Sequence, residues 1–95
     1  MYHIRLCSKK VVKQLDNLST VDFRRIDAKI TQLKKDPRPR GAKKLFDDIY
    51  RIRVGNYRII YQVNDAKRLV HIGKIGRRHE HTYKDAARLF DRIPD

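Results

Sequence analysis

One cysteine, Cys7, stands in a chain of 95 residues. No disulfide can close within the chain, and no cysteine cluster can hold a metal. Long apolar runs are missing as well. Nothing approaches the ~20 apolar residues a membrane-crossing helix needs, and Met1 leads straight into an alternating stretch instead of a signal segment. A strongly apolar amphipathic helix is also lacking, which argues against a membrane surface. A cytosolic protein with no membrane partner is expected. Acidic residues are few, 11 Asp+Glu against 24 Lys+Arg, for a formal net charge of +13. Such an excess points to a polyanion, with nucleic acid first. Low-complexity tracts, internal repeats and dividing linkers are absent. With 40% hydrophobic and 37% charged residues, residues 1–95 are expected to form a single domain around one modest core.

The most informative stretch present is Tyr50-Arg51-Ile52-Arg53-Val54-Gly55-Asn56-Tyr57-Arg58-Ile59-Ile60-Tyr61. Two alternating β-rich runs meet at Gly55-Asn56, a two-residue hairpin turn. The turn sets a register in which 54 faces 57, 53 faces 58, 52 faces 59 and 50 faces 61. One face then carries Tyr50, Ile52, Val54, Tyr57, Ile59 and Tyr61 and requires a core beneath it. The other carries Arg51, Arg53 and Arg58, with Arg53 opposite Arg58. Like charges facing each other on a sheet cost roughly 0.2–1 kcal/mol. An anion between them removes that cost, and planar guanidinium forks suit a phosphate.

Around this hairpin the pattern is α+β. Tyr2-His3-Ile4-Arg5-Leu6 alternates as a strand. Val11, Val12, Leu15 and Leu18 mark one helical face, with Ser8 placed to cap it. Phe23, Ile26, Ile30 and Leu33 form the stripe of a second helix, started by Ser19 or Thr20 and ended by Asp36-Pro37. The two should pair as a helix hairpin covering the sheet. Ala42 to Asp48 bridges to the central hairpin, with Leu45 and Phe46 as core anchors. Asn64-Asp65-Ala66-Lys67 turns into a third meander strand, Arg68 to Ile75. If 63 faces 68, Gly73 lies opposite Arg58 and leaves open space above it. Lys84 to Ile93 reads as a last amphipathic turn or short C-terminal helix stopped by Pro94. The expected fold is a small, mostly antiparallel sheet, the N-terminal strand plus a three-strand meander, packed on an N-terminal helix hairpin.

Chemistry is expected from the sheet arginines and from the loop Arg77-Arg78-His79-Glu80-His81-Thr82-Tyr83. Cutting RNA without a metal requires a base for the 2′-hydroxyl, charge stabilisation at phosphorus and an acid for the 5′-oxygen. Arginine suits the second task and histidine the first or third. Tyr83 can stack on a base or donate a proton. His3 and His71 read as ordinary sheet residues, and Tyr50, Tyr57 and Tyr61 as core. The Lys9/Lys10/Lys13 and Lys43/Lys44 clusters read as solvated faces that attract nucleic acid at long range. Two alternate histidines, His79 and His81, without further ligands do not make a metal site, so neither a metal nor a cofactor is expected. A Walker-type loop, a Gly-x-Ser-x-Gly elbow and a carboxylate pair are all absent.

The order strand, helix hairpin ending in Asp36-Pro37, Lys-Lys-Leu bridge, Tyr-Arg-Ile-Arg-Val-Gly-Asn-Tyr-Arg-Ile-Ile-Tyr and a closing Gly-Arg-Arg…Tyr resembles the RelE toxins of toxin–antitoxin systems. The resemblance covers nearly the whole chain, and its centre is specific to the wider RelE/ParE superfamily. It implies a ribosome-dependent, metal-independent endoribonuclease, an mRNA interferase. Such an enzyme cuts messenger RNA in the ribosomal A site by 2′-hydroxyl attack, leaves a 2′,3′-cyclic phosphate and stops translation. Carried over, the functional positions are Arg51 and Arg53 on one strand, Arg58 on the next, Arg77 or Arg78 in the loop, and Tyr83. The strand positions are lysines in the best-known form of the toxin, so His79 or His81 is expected to supply acid or base character here. The implied partners are ribosome-bound mRNA, with Lys/Arg contacts to ribosomal RNA, and a cognate antitoxin that wraps the basic surface and can displace residues 84–93. The rival readings are a ParE-like gyrase poison, a non-catalytic RNA- or ribosome-binding module, and a decayed toxin that retains only antitoxin binding.

Overall fold

The computed structural model describes residues 1–77 and 86–91. Strand β1 (His3–Leu6) leads into helix α1 (Lys9–Asp16) and helix α2 (Thr20–Lys35). Strands β2 (Lys43–Phe46), β3 (Ile49–Val54), β4 (Tyr57–Asn64) and β5 (Leu69–Arg77) follow, and a 3₁₀ turn spans Ala87–Phe90. The five strands form one sheet in the order β1-β5-β4-β3-β2. The α+β class holds. One element differs from the sequence expectation: β2 is a fourth antiparallel strand and not a bridge. β1 joins β5 in parallel, which leaves the sheet mostly antiparallel, and the described C-terminal piece is a single 3₁₀ turn.

The central hairpin has the expected register, with Tyr50 opposite Tyr61, Ile52 opposite Ile59, Arg53 opposite Arg58 and Val54 opposite Tyr57. Its turn works because Gly55 adopts φ 56°. A positive φ at the first central position is the geometry a two-residue loop needs to match the strand twist, and glycine reaches it without strain.

Helix α2 starts where Ser19 accepts the Asp22 amide at 3.2 Å, and Asp22 sits in the positive first turn. It buries Ile26, Ile30 and Leu33 against the sheet, at about 1.5–3 kcal/mol each. Phe23, expected in the same stripe, lies one turn too early and is 42% exposed. Ser8 occupies the N-cap of α1 but makes no side-chain cap bond. With Val11, these side chains meet Ile52, Ile59, Tyr61, Val63, Val70, Ile72 and Ile75 in one core.

Beyond the hairpin, the register of β5 departs from expectation. Val63 faces Val70, not residue 68, and the ladder shifts between Ile60 and Tyr61: Tyr61 pairs with Ile72, but Ile60 pairs with Lys74. Gly73 is the extra residue of that bulge, so Gly76, not Gly73, lies opposite Arg58. An inserted residue reverses the facing of everything after it. Ile72 and Ile75, three apart, therefore share the core face.

The end of the sheet away from the Gly55 turn is tied to the Asp36-Pro37-Arg38 break. Tyr61 donates its buried hydroxyl to the Pro37 carbonyl at 2.7 Å, and burial pushes its pKa up. Arg38 grips Asp65 with both terminal nitrogens, at 3.1 and 2.8 Å, and its Nε donates to the Tyr50 hydroxyl at 2.9 Å. Tyr2 donates to the same Asp65 carboxylate. The Tyr50 and Tyr61 rings stack at 5.8 Å. Tyr61 thus belongs to the core, and Tyr50 is half-buried beside it.

Candidate functional site

The face of the sheet turned away from the helices has two halves. One half is apolar: Ile49, Ile60, Leu45 and Phe46 meet Ala86, Leu89 and Phe90 of the C-terminal turn. Phe90 rests directly on the Gly73 backbone, where an added Cβ would stand 2.6 Å from its ring. Cys7 packs at this edge, and burial pushes its thiol up to about 11, well above the range in which a thiolate nucleophile forms at neutral pH.

The other half, toward the Gly55 turn, is cationic. Arg51 and Arg53 alternate on β3, Arg58 stands opposite Arg53 on β4, and Gly76 of β5 lies on the far side of Arg58. Arg58 is 1% exposed, Arg51 half-buried and Arg53 exposed. The three make a graded set, from a guanidinium fixed by packing to one that reaches into solvent. Two lysines that the sequence reading left among solvated charges, or did not single out, belong to the same face. Lys43 on β2 pairs with Arg51, and Lys74 pairs with Ile60, diagonally next to Arg58. Lys43 could be recognised only once β2 was known to be a strand. Lys74, by strict alternation, belongs with Val70 and Ile72; the Gly73 bulge moves it across. None of the described residues at these register positions is acidic, so this part of the face carries a concentration of positive charge.

The bulge also relocates Arg77. It pairs with Tyr57 and holds its guanidinium 5.8 Å from that ring, on the helix side of the sheet, away from Arg51, Arg53 and Arg58. Arg78, His79, His81 and Tyr83 lie outside the described residues. His71 is buried on the arginine side, well along β5 from Arg58, and burial with nearby Arg5 and Lys67 lowers its pKa. His3 is exposed on β1. Both sit as sheet residues. Among the described residues no group of three or more His, Cys, Asp or Glu is placed to hold a metal, and no helix is long and apolar enough to cross a membrane.

A protein-family model for the ParE toxin of the type II toxin–antitoxin system parDE matches residues 7–82. The protein named toxin RelE1 of Methanocaldococcus jannaschii is 35% identical over 82 residues, covering 81% of this chain and 90% of its own. The chain belongs to the RelE family of type II toxin–antitoxin toxins. Solved structures share the fold of this RelE-family toxin. RelE in the archaeal RelE–RelB complex from Pyrococcus horikoshii OT3 superposes with a TM-score of 0.72 at 31% identity, over 83% of this chain and 97% of that one. The isolated E. coli RelE toxin gives 0.73 at 23% identity, over 93% and 97%. RelBE2 of Mycobacterium tuberculosis gives 0.60 at 25% identity, over 81% and 98%.

Proposed function

We propose that this RelE-family toxin is a ribosome-dependent, metal-independent endoribonuclease that cleaves mRNA in the ribosomal A site. The observation that carries the reading is the cross-strand Arg53–Arg58 pair with Arg51 beside it on the same sheet face. In the proposed step the 2′-oxygen of the nucleotide attacks its own 3′-phosphorus. A P–O bond forms to give the 2′,3′-cyclic phosphate, and the bond to the 5′-oxygen of the next nucleotide breaks. Charge grows on the non-bridging oxygens as this happens. Arg51 and Arg53, with Lys74 and the buried Arg58 beside them, offset that charge. Arginine hardly deprotonates, so proton transfer falls to the loop. His79 or His81 takes the 2′-proton or supplies one to the 5′-oxygen, and Tyr83 stacks or donates. The position of Arg77 beside Tyr57 on the helix side supports Arg78 as the loop arginine for the phosphate.

The partner reading follows from the relatives: P. horikoshii RelE was solved with RelB, and M. tuberculosis RelBE2 as a toxin–antitoxin complex. A cognate antitoxin with acidic segments is the corresponding partner here, and the net charge of +13 favours it. A second reading, a gyrase poison, is supported by the family model's ParE description.

The test is cell-free translation of a defined message with mapping of RNA ends. Wild-type protein should cut at codon positions only while ribosomes translate. Arg53→Ala, an exposed site that leaves the core alone, should lower the rate at least tenfold, and Arg58→Ala roughly 10²–10³-fold. Intact RNA with translation still running would refute the nuclease reading. Loss of supercoiling activity in a gyrase assay would then favour the second.

A further inference from the structure

Helix α1 stops short of the end of β5, and so does β1, which pairs only with Leu69–Ile72. The last residues of β5 therefore face a cleft instead of a neighbouring strand. That cleft is a cavity of about 400 Å³ lined by Gln14, Asn17, Leu18, Tyr57, Gly76 and Arg77. Small-ligand clefts run to roughly 300–1,000 Å³. Its chemistry is specific. Tyr57 offers a half-buried aromatic face with the Arg77 guanidinium over it, 5.8 Å from the centroid. Two carboxamides stand around it. Gln14 accepts the Ile75 N–H at 2.8 Å, which fixes its orientation and leaves its NH₂ as a donor. Asn17 is exposed at the C-cap of α1. An aromatic ring, a guanidinium beside it and amides that both donate and accept are the groups proteins use to hold an unstacked nucleobase.

Position strengthens the argument. Gly76 lines the cavity and lies opposite Arg58, and Tyr57 precedes Arg58 in β4. The cavity is thus one residue from the sheet arginines, around the edge of β5 beyond its pairing with β1. Gly76 has no side chain to block the way over that edge. We propose that this cavity is a nucleobase subsite: it holds the base of a nucleotide flanking the phosphate seated on Arg53 and Arg58, stacked with Tyr57 and Arg77 and read by Gln14 and Asn17. The assignment rests on the nuclease reading for the seated phosphate. The cavity itself can be tested without cleavage.

The experiment is binding of fluorescein-labelled RNA trinucleotides to the full chain at fixed salt. A 2′-deoxy sugar at the central nucleotide prevents 2′-hydroxyl attack. Three probes are compared: the intact trinucleotide and two versions lacking the base on one or the other side of the central phosphate. For wild-type protein, one of the two abasic probes should bind at least about fivefold more weakly than the intact one, the lower end of a base–aromatic stacking contribution. In Tyr57→Leu and in Asn17→Ala that gap should shrink to less than twofold. Asn17→Ala is the safeguard, because an exposed helix-end residue can be replaced without touching the core; a thermal melt checks Tyr57→Leu. Equal affinity for all three probes would overturn the proposal, as would a gap that persists in both variants. If Arg58→Ala leaves affinity unchanged while the base-dependent gap remains, the subsite stands and the phosphate seat falls.

Discussion

Replacing Gly73 by alanine should unseat the C-terminal turn. A Cβ at this position would stand 2.6 and 2.8 Å from Phe90 ring carbons and 3.1 Å from the Leu89 Cβ. Carbon atoms in contact rest at about 3.5–4.0 Å, so the ring must retreat by close to 1 Å. The sheet cannot yield, because Gly73 sits in a strand held by β4 and the core. The turn can: it is a single short 3₁₀ turn, with backbone bonds from Leu89 to Ala86 and from Asp91 to Arg88. The cost therefore has a ceiling, the contribution of docking Phe90, which is 7% exposed and worth about 1.5–3 kcal/mol. Reduced freedom of the unfolded chain returns ~0.4–1 kcal/mol. A net loss of ~1–2 kcal/mol is expected in urea unfolding. Hydrogen exchange by mass spectrometry should show faster exchange at 86–91 with β3–β5 still protected. The decisive comparison is the double variant. Once Phe90→Ala has removed the ring, Gly73→Ala should cost almost nothing more. Additive losses in the double variant, or unchanged exchange at 86–91 in Gly73→Ala, would refute this account.

Further outcomes can be checked alongside it. Tyr61→Phe strips the Pro37 carbonyl of its buried partner and should cost ~1–1.5 kcal/mol in urea unfolding. His71 has a lowered folded pKa, so the unfolded chain takes up a proton first as pH falls. Stability is full above the ordinary value of 6.5 and declines between there and the lower folded value, and His71→Gln should flatten that slope in urea midpoints at pH 7.5 and 5.5. Asp65 is held below its ordinary 3.8, chiefly by the Arg38 hydrogen bonds and then by Tyr2. Its contribution is present above that value and lost as pH falls through the folded one, so Asp65→Asn should flatten the acid limb of a Tm–pH profile. High salt should shrink the effect, because the pair is exposed.

Short-range patterns were legible in the chain. The two-residue turn at Gly55-Asn56 left the hairpin one register, so Arg53 had to face Arg58 whatever surrounded it. The α2 stripe and its Ser19 cap are equally local. The family resemblance rested on those same residues. The facing of β5 was different, because it depends on a bulge. Strict alternation along β5 would put Arg77 on the arginine face and Lys74 on the core side, and one extra residue at Gly73 exchanges them. Phe90, far along the chain, packs on that residue, where any side chain would meet its ring. Lys43 joined the cationic face only through pairing with Arg51, and the cavity beside Tyr57 exists because β1 ends early along β5. Sequence by itself determined what each strand offers on its two faces, since side-chain alternation is a property of the backbone. Tertiary structure decided which offers meet, since strand ends, bulges and docked turns are set by contacts between segments distant in the chain.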